Sequence, residues 1–260
     1  MFNEHSSTIL NPVGNAMVLP PDKKPGTGRG MDLPVVFFDD FISGGYEAAS
    51  SHISNAADTS VWFNTNVEAG TGATAMVYQD VAGGVLKITT AAADDDGVNM
   101  QVNGASFIPA TGKNLIFEAR LTTSTIVDNW FVGLCATDVS MKTAPANYIG
   151  FTSTTHATSA ADAKILCVSG ATASGSTIGE VQTNSTVTDT GLLRVADTYN
   201  VVRFEVEDTG TIRFYVNGVL EATHTTNIPT ALITPSLTFL NTGAVVQSAY
   251  IDYVYCAQER

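Results

Sequence analysis

The chain has 260 residues and a formal net charge of −13, from 25 acidic and 12 basic side chains. That balance excludes direct packing on nucleic acid, which needs a basic footprint, and no apolar run approaches the ~20 residues of a membrane-spanning helix, so neither nucleic acid nor membrane is expected as a partner. Only 14% of residues are charged, and the apolar residues fall in short runs at strand spacing between turns rich in Gly, Ser and Thr. The expectation is an all-β body.

The first thirty residues differ from the rest. They hold Pro12, Pro20, Pro21 and Pro25, and end in Pro25-Gly26-Thr27-Gly28-Arg29-Gly30. Lys23, Lys24 and Arg29 against Glu4 and Asp22 give this stretch a charge of +1 and leave −14 on the remainder. Proline and glycine oppose helix and central strand, so residues 1–33 read as an extended arm and 34–260 as the body. Phe2, Ile9, Leu10, Val13, Met17, Val18 and Leu19 are more apolar residues than a purely solvated tail needs. They are the candidate contacts through which the arm orders against a partner. No basic stretch followed by an apolar one opens the chain, so no secretory leader is expected.

Strands are expected at Leu33–Phe41, Trp62-Phe63, Ala75–Tyr78, Gly84–Thr89, Val98–Val102, Leu115–Leu121, Trp130–Ala136, Tyr148–Phe151 and Lys164–Val168. The interval from Ser169 to Thr190 is low in complexity and reads as surface loop or ribbon. The clearest signal follows, in Tyr199–Leu220. Val202, Phe204 and Val206 alternate with Arg203, Glu205 and Glu207, and Ile212, Phe214 and Val216 alternate with Arg213 and Tyr215. A three-residue loop, Asp208-Thr209-Gly210, sets Glu205 opposite Arg213, Phe204 opposite Phe214 and Val206 opposite Ile212. A one-residue slip would set apolar positions against charged ones. Asn217-Gly218 marks a second hairpin. Leu237–Leu240 and Ala249–Tyr255 complete the set. Many short strands without a fixed repeat point to a sandwich or jelly roll.

Phe131–Asp138, Tyr148–Phe151, Ile212–Gly218 and the closing Ile251–Arg260, with its terminal Ala-Gln-Glu-Arg, resemble virion proteins of tailed phages. The resemblance covers roughly residues 35–260. It implies an antiparallel β-sandwich of the concanavalin-A-like (laminin-G-like) jelly-roll type, and a structural component of the particle. The most direct version is a capsid decoration or cement protein on the head surface, made in the host cytoplasm. Its partners would be the major capsid protein and further copies of itself, as a homotrimer or other homo-oligomer. The alternative is a lectin-like carbohydrate-binding module of the virion.

Candidate chemistry is sparse. Asp94, Asp95, Asp96 and Asn99 surround a glycine turn and are weak calcium candidates, since hard cations collect oxygens; laminin-G-like relatives often bind calcium. The stretch lacks the EF-hand spacing, and a solvated acidic turn is expected, with no cofactor. Glu205 and Glu207 share a strand face, as paired glycosidase carboxylates do, but an ion pair from Arg213 would hold Glu205 ionised. His5, His52, His156 and His224 are scattered. Cys135, Cys167 and Cys256 sit in apolar runs and read as buried free thiols. No catalytic residue and no enzyme are expected. Trp130, Tyr148, Tyr215 and Tyr253 are candidates for an aromatic sugar platform, with core packing the expected role.

Overall fold

Two antiparallel sheets face each other across a shared apolar layer. The computed structural model describes residues 34–42, 61–67, 74–79, 81–109, 112–126, 128–138, 141, 145–153, 163–171, 178–179 and 183–259, with the backbone of 9–10 and 16–17. Among the described residues there is no helix.

Residues 1–33 and 34–259 belong to separate compact units. In the first, β1 (Ile9–Leu10) pairs antiparallel with β2 (Ala16–Met17). The sequence led to no strand here; a two-residue ladder forms because it lies clear of Pro12 and Pro20, which have no N–H to donate. Phe2, Val13, Val18 and Leu19 lie outside the described residues.

In the second unit one sheet has seven strands. Its order is β12 (Ser185–Leu193), β11 (Lys164–Gly170), β10 (Tyr148–Ser153), β9 (Asn129–Cys135), β16 (Thr234–Leu240), β7 (Gly97–Val102) and β4 (Trp62–Val67). The other has eight. Its order is β15 (Val219–His224), β14 (Ile212–Val216), β13 (Asn200–Val206), β8 (Leu115–Thr123), β17 (Ser248–Gln258), β6 (Val85–Thr89) and β5 (Ala75–Gln79), with β3 (Val35–Asp39) beside the second half of β17. Late strands therefore insert between early ones: β16 separates β7 from β9, and β17 separates β6 from β8.

The inward residues of both sheets form one core. Phe117 stacks on Phe204 at 5.2 Å, Phe204 meets Phe214 at 6.0 Å, and Phe151 of the opposite sheet stands edge-on to Phe214 at 5.4 Å. Offset and edge-on contacts of this kind add to the area they bury. The expected register holds: Glu205 opposes Arg213, Phe204 opposes Phe214 and Val206 opposes Ile212. Gly210 takes the left-handed conformation at φ 80°, and Asn217 and Gly218 both have positive φ, as a two-residue hairpin requires.

The interval expected as surface loop or ribbon ends in a strand, β12, which continues past Thr190 to Leu193. Its inward positions are Thr186, Thr188 and Thr190, whose hydroxyls bond Thr226, His224 and the Ile165 carbonyl. A strand that faces inward with hydroxyls carries no apolar alternation to detect. Cys135, Cys167 and Cys256 are buried and free, and burial pushes their thiols up.

Candidate functional site

The two outward faces differ. On the seven-stranded sheet, Phe131, Cys135, Tyr148, Leu166 and Val168 form a second buried cluster with Met141 and Ile178. Gly133 and Gly150 oppose each other in its middle. A Cβ on Gly150 would lie 2.3 Å from the Val132 carbonyl, so the strands meet there only because both lack side chains. Gln101 donates to the Ser236 hydroxyl at 2.9 Å and accepts from the Asp138 N–H at 2.8 Å, tying the segment after β9 down. The Thr238 hydroxyl donates to Asn99 at 2.8 Å. The outward positions of β7, β9, β10 and β16 carry no charge.

The outward face of the eight-stranded sheet is charged and aromatic. One row crosses six strands: Leu220, Tyr215, Arg203, Glu118, Tyr255 and Phe38, each opposite the next. At the interstrand spacing this row spans roughly 24 Å. Leu220 and Phe38 are exposed, Tyr215, Arg203 and Tyr255 half-buried, and Glu118 buried. A second line adds Arg120 opposite Tyr253, and a third Thr122, Tyr250 and Lys87.

A bulge makes this face. β17 shifts register between Ile251 and Tyr253, leaving Asp252 as the extra residue. Strict alternation would put Tyr250 out of phase with Tyr253 and Tyr255; one extra residue brings all three to the same side. Ala249, Ile251, Val254 and Cys256 then share the core side.

The polar groups are held by one another. The Tyr253 hydroxyl donates to Glu118 Oε1 at 2.7 Å, and its pKa is raised, first by burial and then by that carboxylate. Arg120 pairs with Asp252 and lies over the Tyr199 ring at 4.1 Å. Arg203 pairs with Glu205 along the strand and lies over Tyr215 at 5.6 Å. Arg213 bonds Glu207 at 3.0 Å. The expected Glu205–Arg213 ion pair is thus corrected. The two are opposite in register, but Arg203, two residues from Glu205 on the same side, takes its carboxylate, and Arg213 turns diagonally to Glu207. Four cations (Lys87, Arg120, Arg203, Arg213) and four carboxylates (Glu118, Glu205, Glu207, Asp252) leave the face neutral on a chain of charge −13.

The predicted aromatic platform is not assembled as a set. Trp130 points into the core and Tyr148 into the second cluster of the other sheet; only Tyr215 and Tyr253 share the eight-stranded face. Tyr199, Tyr250, Tyr255 and Phe38 join them and were not anticipated. Tyr253 and Tyr255, alternating with Val254 and Cys256, were the available signal. The calcium candidates are dispersed. Asp94 and Asp95 are exposed, Asp96 is buried, and Asn99 bonds Thr238. Among the described residues no three acidic, His or Cys side chains are grouped to hold a metal. His224 is buried, bonded to Ser169 at 2.9 Å and Thr188 at 3.0 Å. The other three histidines lie outside the described residues.

No family model and no curated protein sequence matches the chain. Solved structures do. A β-glucanase of Bacillus licheniformis superposes with a TM-score of 0.54 at 14% identity, over 85% of this chain and 96% of that one. An endo-1,3-β-glucanase of Streptomyces sioyaensis gives 0.54 at 15%, over 87% and 96%. A β-1,3-1,4-glucanase (lichenase) from a mouse hindgut metagenome gives 0.52 at 12%, over 85% and 97%. The fold is the concanavalin-A-like jelly roll. It is a fold that carries glycoside hydrolases, and this overturns the expectation of no enzyme: missing sequence motifs were weak ground, because a sandwich can assemble carboxylates from separate strands. No virion protein is among these three structures, so the particle reading keeps only its sequence resemblance.

Proposed function

We propose that the protein is a carbohydrate-binding, lectin-like module that holds a neutral polysaccharide on the outward face of its eight-stranded sheet. The observation that carries this is the Tyr215–Arg203–Glu118–Tyr255–Phe38 row. Sugar rings offer apolar C–H faces and equatorial hydroxyls. Phenol rings take the first, and fixed guanidinium and carboxylate edges take the second. Because the face is charge-balanced, a neutral chain approaches it without the repulsion that an anionic one meets from the rest of the molecule. Gluco-oligosaccharides are the natural probes, given the fold's glucanase neighbours.

Titration calorimetry with laminarihexaose and cellohexaose tests this. Binding by the unaltered protein is expected, with Tyr215→Ala and Tyr255→Ala each weakening it about tenfold, or about 1.4 kcal/mol. A reducing-end assay on the same mixtures reads cleavage. No binding of either hexasaccharide, or affinity unchanged in both variants, would overturn the proposal.

A second reading, a capsid decoration role, draws on β3. This strand follows residues 1–33 directly and presents Val36 and Phe38, 47% and 48% exposed, beside Tyr255. Exposed apolar and tyrosine side chains with arginine are what protein interfaces favour. On this reading the major capsid protein would cover that strip, and deleting residues 1–30 would abolish particle binding while leaving the sandwich folded. Unchanged capsid occupancy would count against it.

A further inference from the structure

The charges of the eight-stranded face do not cancel pair by pair. Asp252, Glu205 and Glu207 are each taken by a guanidinium, from Arg120, Arg203 and Arg213. Glu118 is not. It is 4% exposed, and among the described residues its one hydrogen bond comes from the Tyr253 hydroxyl to Oε1. Oε2 is left without one and is not sealed from solvent.

Arg203 stands opposite Glu118 in the β8–β13 ladder, and both side chains are on the outward face. Directly opposed Cβ atoms are about 5 Å apart. Yet no ion pair joins these two opposite charges: Arg203 gives Nη2 to Glu205, and Glu118 takes Tyr253. Among the described residues Arg203 Nε has no partner, and the side chain is partly exposed. The Tyr255 phenol is near both groups. Its pKa is raised first by burial, with Glu118 adding to the rise and Arg203 opposing it.

A buried carboxylate with one bond is under-satisfied, because buried charge is costly unless hydrogen bonds answer it. What Glu118 lacks is a donor, and what the guanidinium beside it lacks is an acceptor. Ether oxygens of a sugar only accept, so they suit Arg203 and not Glu118. A carboxylate or sulfate on the ligand would be repelled by Glu118. Two adjacent hydroxyls answer both at once. One donates to Oε2 while its neighbour accepts from the free edge of Arg203, and hydrogen bonds to ionised groups are the strong ones.

Linkage follows from this. In a β-1,4-linked glucan every inner ring keeps free, adjacent hydroxyls at C2 and C3. In a β-1,3-linked glucan the inner rings keep those at C2 and C4, separated by the linked carbon, and only the end rings keep an adjacent pair. We propose that Glu118 and Arg203, between Tyr215 and Tyr255 at the centre of the row, form a diol-reading subsite that selects a β-1,4-linked chain over a β-1,3-linked one. The inference rests on the carbohydrate-binding reading and adds the linkage that the face prefers.

Titration calorimetry with cellohexaose, xylohexaose and laminarihexaose tests it. The unaltered protein is expected to bind cellohexaose about tenfold more tightly than laminarihexaose, or better, since a site built to pair hydroxyls rejects a ligand that lacks them. Xylohexaose keeps the diol and lacks the 6-hydroxyl, so affinity like that for cellohexaose separates the diol from a pair made by the 6-hydroxyl and the ring oxygen. In Glu118→Gln and Arg203→Gln the preference for cellohexaose over laminarihexaose is expected to disappear, with circular dichroism unchanged. The comparison of the three sugars needs no variant and decides the matter if either variant fails to fold. Equal or reversed preference, weak binding of xylohexaose, or a preference that persists in both variants would overturn the subsite; where Tyr215→Ala still weakens binding, the face stands without it. If the unaltered protein binds none of the three, both readings fall together.

Discussion

The two outward faces of this sandwich are built from the same backbone and solve opposite problems. The seven-stranded face is sealed by contact: a glycine pair lets two strands approach, and Phe131, Tyr148 and Leu166 pack with Met141 and Ile178. The eight-stranded face is held by charge: Arg120 and Arg203 are each assigned to a carboxylate and to a phenol ring, and Arg213 to a carboxylate. The first resists any change of volume. The second tolerates substitution one side chain at a time, which suits a surface that meets something from outside.

That contrast can be broken most sharply at Gly150. In Gly150→Ala the new methyl meets the Val132 carbonyl at 2.3 Å and the Gly133 Cα at 2.9 Å, both backbone atoms. Overpacking costs about 1–3 kcal/mol, and with backbone on two sides the loss should lie at or above the top of that range. Urea unfolding measures it; a loss under about 0.5 kcal/mol would show that the seven-stranded face is not close-packed.

The joint between the two sheets gives the next effect. His224, on the edge of one sheet, bonds hydroxyls on β11 and β12 of the other, and burial lowers its pKa from 6.5 to about 4. In the unfolded chain the ring protonates near its ordinary value, while in the folded one it stays neutral until about pH 4. Its contribution is thus complete above about pH 6.5 and is lost as pH falls from there towards 4, about 3 kcal/mol in all. Denaturant titrations between pH 7 and 4 should show this slope, and His224→Asn should flatten it. An unchanged slope in the variant would assign the acid sensitivity elsewhere.

The smallest effect is expected on the charged face. Glu207→Ala removes one partner of the half-exposed Arg213 pair, and such pairs contribute less than about 1 kcal/mol. A loss above 2 kcal/mol would mean that this lattice is as cooperative as the packed face opposite.

The central hairpins were legible because their two signals agree: alternation fixes the sides and the loop residues fix the register. β12 was not, because threonine faces inward where valine would have advertised a strand. The site was legible only in pieces. Tyr215 could be placed on the outward side from its own strand, but Phe38, Glu118 and Tyr255 join it only through pairings between residues far apart in the chain. Glu205 was assigned the wrong cation because register gives the opposite residue, while the charge chose the neighbour along the strand.

The extra residue at position 252 has a wider reach than its own bond to Arg120. It splits the last strand into two halves of opposite phase, one zipped to β6 and one to β3. Losing that single residue would restore a regular rhythm to the strand. It could do so only by driving one half's phenols inward or its valine and cysteine out into water. Insertions and deletions here are therefore far more severe than substitutions, and the phase of a whole face is stored in one amino acid.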